Sequence, residues 1–235
     1  MKVKCAWEHN GDDTLLYAVN CVGAYARGAN RELALEKMPE ELQSYLRWSG
    51  EPVPQGFEIE IVQEKASGLQ IADADSDIIF EEERTPLPEE EYLRLKALVL
   101  KSAGDFDTLY ASVPDKDASC LPARNTFYGA VPRTAREMYE HTKNVNSYYF
   151  GEIGVDVDNE GTILQCRQKG FELLERFDGF LQAPAVVGSY DELWSVRKVL
   201  RRFLWHDRIH AKAMFRMAER TFGKGEVRNS FQFKE

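Results

Sequence analysis

A run of apolar residues spaced alternately three and four apart commits its stretch of chain to a packed helix. Only that spacing keeps one stripe of a 3.6-residue helix facing a neighbour. Val196, Val199, Phe203, Ala213 and Met217 form such a run, and the two positions in phase between Phe203 and Ala213 are His206 and His210. Side chains at i and i+4 share a helix face, so both imidazoles are expected to point into a bundle core. Met138, Val145 and Tyr148 make a second seam, and the position in phase between Met138 and Val145 is His141. Three of the four histidines therefore fall on core-facing seams and read as one site.

The residues ahead of these seams follow a different period. Lys2 to Trp7 alternate, His9 to Asp13 carry turn chemistry, and Thr14 to Val19 are β-prone, which predicts a hairpin. Asn20 to Gly28 predict a third short strand. Asn30 caps a helix over Arg31 to Trp48, with a kink or restart expected at Pro39. Phe57, Ile59 and Ile61 alternate with glutamates and predict a strand with one wet face. The order β-β-β-α-β makes residues 1–70 a small α+β domain. Residues 71–87 are acidic and irregular and read as a solvated linker. Asp73, Asp75 and Asp77 imitate the start of a calcium loop, but Ile78 and Arg84 stand where glycine and glutamate are required.

Helical patterning takes over at Pro88 and runs first to about Tyr110, followed by a long loop from Pro114 to Pro132. Thr134 and Glu137 form a capping box that opens the helix carrying His141. Thr162 to Phe177 predict a third helix. Ser189 and Glu192 form a second capping box, which opens a fourth helix ending at Gly223. That element would be roughly 50 Å long at 1.5 Å per residue, so a bend or break is expected before Val196. Residues 88–223 thus read as a four-helix bundle, with 224–235 a tail.

Composition narrows the function. The net charge of −9 argues against a generic nucleic-acid binder, which needs a basic field to displace counterions. No run of 18 apolar residues is present, so no membrane-spanning helix is expected. The four cysteines have no CxxC spacing and the first residues lack signal-peptide character, so a cytoplasmic setting is expected.

Two resemblances add to this. Residues Gly23 to Leu35, set in the β-β-β-α-β order, are similar to the HicB-like fold of antitoxin proteins, which implies a protein partner for the N-terminal domain. The bundle, with Tyr139-Glu140-His141-Thr142 in its second helix and His206-x-x-x-His210 in its fourth, resembles the DinB-like superfamily over Pro88 to Phe222. That resemblance implies zinc or nickel at the three histidines. It also implies a small-molecule substrate, a low-molecular-weight thiol in the characterised members, and a homodimer, since such bundles often pair.

The residues support a metal on their own terms. Three neutral imidazoles at core depth would leave polar nitrogens unsatisfied, at about 1–3 kcal/mol each, and a shared ion removes much of that cost. Three protein ligands leave one position open, the arrangement of catalytic zinc sites. Asp207, three residues before His210, is placed to orient an imidazole, with a solvent-facing position as the alternative. Glu137 lies one turn before His141 and within reach of the metal, although its capping role explains it more cheaply. Glu152 continues the His141 seam as an inward or rim carboxylate, and Cys166 reads as a buried filler. Arg197, Lys198, Arg201, Arg202, Arg208, Lys212, Arg216 and Arg220 give the last helix a basic back. It is expected to be solvated, paired with the acidic N-terminal unit, or turned to an anionic ligand. Two functions fit. One is a metal-dependent transferase, isomerase or hydrolase, and the other is a non-catalytic metal-stabilised bundle whose N-terminal domain recognises a protein.

Overall fold

The computed structural model describes residues 1–234; Glu235, the end of the expected tail, lies outside the described residues. The fold is α+β, with a mixed four-stranded sheet and five α-helices among the described residues. β1 (Lys2–His9) pairs antiparallel with β2 (Thr14–Ala18), which pairs antiparallel with β3 (Tyr25–Gly28). The chain then crosses through α1 (Arg31–Ser49) to β4 (Glu58–Ala66), which lies parallel to β1 and gives the order β3-β2-β1-β4. Asn30 caps α1 by accepting from the Leu33 amide, and Gly50 ends it in a left-handed turn (φ 81°) that a Cβ would disfavour. Pro39 lies inside α1 without breaking it.

Every residue of β2 is buried, because both faces of the sheet are covered. Val3, Cys5 and Leu16 face Met38, Leu42 and Tyr45 of α1. Ala6, Leu15 and Tyr17 face Ile71, Ile78, Phe80 and Trp205. The segment expected to be a solvated linker is therefore a packed strap. It carries short 3-10 turns at Ile71–Asp73 and Glu81–Arg84, and it buries Ile71, Ile78, Ile79 and Phe80 between sheet and bundle. Its acidic composition hid an apolar residue at nearly every turn.

The bundle helices are α2 (Glu89–Ser112), α3 (Ala135–Gly151), α4 (Ile163–Leu174) and α5 (Val196–Phe222). α2 and α3 each pack against α4 and α5, which closes a four-helix ring. The long loop ahead of α3 holds a small hairpin, β5 (Asn125–Thr126) and β6 (Gly129–Ala130). Ahead of α5, β7 (Val186–Val187) pairs with β8 (Leu193–Trp194). The Ser189–Glu192 pattern does not open α5. Tyr190 and Asp191 take left-handed φ values of 60° and 58°, and Ser195 caps the helix instead, accepting from the Lys198 amide. The break expected before Val196 is thus a full strand-and-turn. The expected tail also packs. Phe231 stacks on Trp48 of α1 with ring centroids 5.6 Å apart, and Phe233 is buried beside it.

The basic residues of α5 are mostly buried and paired. Arg208 (0% exposed) and Lys212 share Glu41 of α1, Arg201 pairs with Glu83 of the strap, Arg197 with Glu91 of α2, and Lys198 with Glu192. Pairing with the N-terminal unit and its strap therefore holds for Arg201, Arg208 and Lys212, Arg197 and Lys198 pair with α2 and the turn ahead of α5, and the solvated reading holds for Arg216 and Arg220. α5 is the shared axis of the molecule, touching the ring on one side and α1, sheet and strap on the others.

Candidate metal centre

The histidine seams meet as their phase requires. His141 on α3 faces His206 and His210 on α5, and their nearest ring nitrogens all lie within 4.8 Å of one another. Ring centroids are 5.1 Å apart for His141–His206, 4.5 Å for His141–His210 and 4.4 Å for His206–His210. The His206 and His141 Nε2 atoms are 3.2 Å apart. Two nitrogens about 2.0–2.1 Å from a tetrahedral zinc would stand roughly 3.3 Å apart, so that spacing suits a shared ion. The His206 Nδ1 atom is buried with no partner, so the ring turns its Nε2 toward the other histidines and leaves its far nitrogen unsatisfied.

The electrostatics also suit ligands, which must be deprotonated. Burial lowers the pKa of all three rings: His141 falls below its usual value, His210 falls to about 3 with His141 adding to the effect, and His206 falls well below 6.5. For His206 the neighbouring rings and the cations Arg202 and Arg167 push in the same direction. The three rings are therefore neutral donors at physiological pH.

Of the flanking carboxylates, neither orients a histidine. Asp207 is fully buried, but it accepts from Ser102 Oγ at 2.9 Å and from Arg167 Nη2 at 3.2 Å, and makes no hydrogen bond to an imidazole. Position 207 is rotated about 100° from the histidine stripe, which carries its side chain toward α2 and α4. Burial pushes its carboxyl above the usual range against the pull of Arg167. Glu137 is used by the helix start: it accepts from the Arg133 and Thr134 amides, and these bonds hold its pKa low. Glu152 sits at the end of α3 and accepts from the Ser189 amide at 2.7 Å. Cys166 is a buried filler whose thiol is pushed up by burial.

The rings open onto a cleft of about 380 Å³. Tyr149 of α3, Arg202 and Trp205 of α5, and Asp75 and Ser76 of the strap line it with the histidines. Arg202 anchors that wall by donating to the Ser76 carbonyl at 3.0 Å, with its guanidinium over the Trp205 ring. The β5–β6 hairpin forms the rim: Arg124 pairs with Asp73 at 3.0 Å, and the Tyr128 hydroxyl donates to the Asp73 carbonyl at 2.9 Å. Sequence periodicity could not have found the strap and hairpin residues, which have none. Arg202 was visible only as one of many cations on α5.

The chain matches no protein-family model, no curated protein and no solved structure. The fold and the histidine geometry therefore carry the functional argument alone. No helix is long and apolar enough to cross a membrane among the described residues.

Proposed function

We propose that the protein is a divalent-metal-dependent enzyme of the DinB-like kind, with His141, His206 and His210 as the ligands of zinc or nickel. The reaction class is transfer or isomerisation through a low-molecular-weight thiol, or hydrolysis. The observation that carries this reading is the position of the three neutral rings on the floor of a walled cleft rather than inside a closed core. A closed four-ligand site would be structural, whereas three ligands with open space beside them are suited to chemistry. A divalent ion held there would lower the pKa of a thiol or a water molecule and so supply a nucleophile near neutral pH. Arg202 would orient an anionic or carbonyl-bearing substrate, and the Tyr149 and Trp205 rings would limit water beside it.

The test is metal analysis of untagged protein, followed by cobalt substitution. About one ion per chain is expected, with a cobalt spectrum that responds to a small thiol at millimolar concentration. His206→Ala should lose the ion. Stoichiometric cobalt with no response to any thiol would move the reading to hydrolysis. Failure of wild-type protein to bind zinc, nickel or cobalt would overturn it.

A further inference from the structure

A second cavity, of about 480 Å³, lies directly beside the histidine cleft. The two share Arg27, Ile209 and Ala213 in their walls. On α5 the positions 206, 209, 210, 213 and 216 follow one another on a single stripe of the helix surface. From His206 to Arg216 that stripe is about 15 Å long. The cavities are therefore two ends of one groove, floored by α5, with the histidines at one end.

The far end is built by the N-terminal unit. Its walls are the edge strand β3, through Tyr25 and Arg27, and α1, through Lys37 and Glu41. Its charge is positive in a chain whose net charge is −9. Arg27, Lys37, Lys212 and Arg216 line it against Glu40 and Glu41, with Arg27 paired to Asp13 and Lys212 to Glu41, so its unpaired cations among the described residues are Lys37 and Arg216. Neither acid is free to neutralise the cavity. Glu41 is buried and already shared by Arg208 and Lys212, which together outweigh its burial and hold its pKa down. Glu40 is paired with Lys234. Lys37 and Arg216 are exposed and have no ion-pair partner among the described residues.

Resting on the metal-site reading, we propose that this groove binds an elongated ligand whose reactive head lies at the histidines and whose anionic tail lies between Lys37 and Arg216. The tail is a carboxylate, or an equivalent anion such as a phosphate or sulfonate. The N-terminal α+β unit thus forms half of the binding site and selects the ligand by length and charge.

The test uses cobalt-loaded full-length protein and two thiols of equal length, mercaptooctanoate and mercaptooctanol. Their sulfur-to-terminus span of roughly 10 Å matches the rise of about 9 Å from His210 to Arg216. The acid should perturb the cobalt spectrum at about tenfold lower concentration than the alcohol. Mercaptoacetate, too short to span the groove, should show no such gain over mercaptoethanol. A Lys37→Ala/Arg216→Ala variant should lose the tenfold preference while keeping its cobalt. Both side chains are exposed, so this variant is expected to fold. Equal binding of the acid and the alcohol would overturn the groove proposal and leave the metal reading standing. If no thiol perturbs cobalt, octanoate provides the separate test. Amide shifts at Ala26 and Ala213 that vanish in the double variant would keep the anion subsite while the thiol reading fails. Their absence would overturn the subsite.

Discussion

Glu41→Ala should be among the most damaging single substitutions in the molecule. Glu41 accepts from Arg208 Nε at 3.2 Å, from Arg208 Nη2 at 2.6 Å and from Lys212 Nζ at 3.0 Å. Arg208 has no exposed surface, and its Nη1 already lacks a partner. Removing the carboxylate leaves a buried guanidinium without a counter-charge, at a cost of about 3–5 kcal/mol. Lys212 is 25% exposed and can turn to water, so it adds little. In a chain of this size 1 kcal/mol moves Tm by about 2–4 °C, which puts the expected fall at about 6–20 °C. Thermal melts followed by circular dichroism would measure it. Glu40→Ala is the control. It removes only a pair with Lys234 whose side chains are 55% and 66% exposed, and should shift Tm by less than about 2 °C. Glu41→Leu combined with Arg208→Met should recover most of the loss, because an apolar pair of similar volume carries no desolvation penalty. A Glu41→Ala melt indistinguishable from that of the Glu40→Ala control would refute the claim that α1 is seated on α5 through a buried ion pair.

Three other outcomes follow from the structure. Zinc at a hundred times its Kd should stabilise the fold by about 2.7 kcal/mol, and thermal shift assays should show that response abolished in His206→Ala. Without metal, Tm should fall as pH is lowered from 7 to 5. The unfolded chain protonates His206 and His210 near pH 6.5, whereas burial keeps both rings neutral in the fold, so the unfolded state binds more protons through that window. Asp207 and Glu8, whose carboxyls burial pushes up, act in the opposite direction closer to the carboxylate range, and a melt that rises between pH 7 and 5 would contradict the histidine assignment. Gly170→Ala places a methyl 2.0 Å from the Phe150 ring and should cost about 1–3 kcal/mol in urea unfolding, with no change in metal binding.

The histidine cluster was legible because a helical seam is a local signal. Three imidazoles in phase need only a period of three and four to be placed on facing surfaces. The strands and helices were legible for the same reason. What could not be read were pairings between distant residues. Glu41 and Arg208 are 167 positions apart, and Glu83 and Arg201 are 118 apart. No period connects them, so the sequence left the cations of α5 between a solvent face, pairing with the N-terminal unit and an anionic ligand, and could not say which acid each one meets. The strap misled through composition: its aspartates suggested water, while Ile71, Ile78 and Phe80 decided its place. The Ser189–Glu192 pattern misled because a capping box is defined by four residues and is indifferent to a turn inserted after it. Asp207 was close to His210 in sequence but lay on the wrong side of the helix cylinder.

The dependence of α1 on α5 also has a consequence during synthesis. At about 5–20 residues per second, roughly ten to thirty seconds separate the appearance of Glu41 from that of Arg208. Throughout that interval the Leu15–Tyr17 face has only Ile71, Ile78 and Phe80 of the strap against it, since Trp205 emerges in the same late stretch. A nascent chain of this kind leaves the part of that face that Trp205 will cover, and two open strand edges, exposed on the ribosome, where a chaperone that shields hydrophobic segments would find its target.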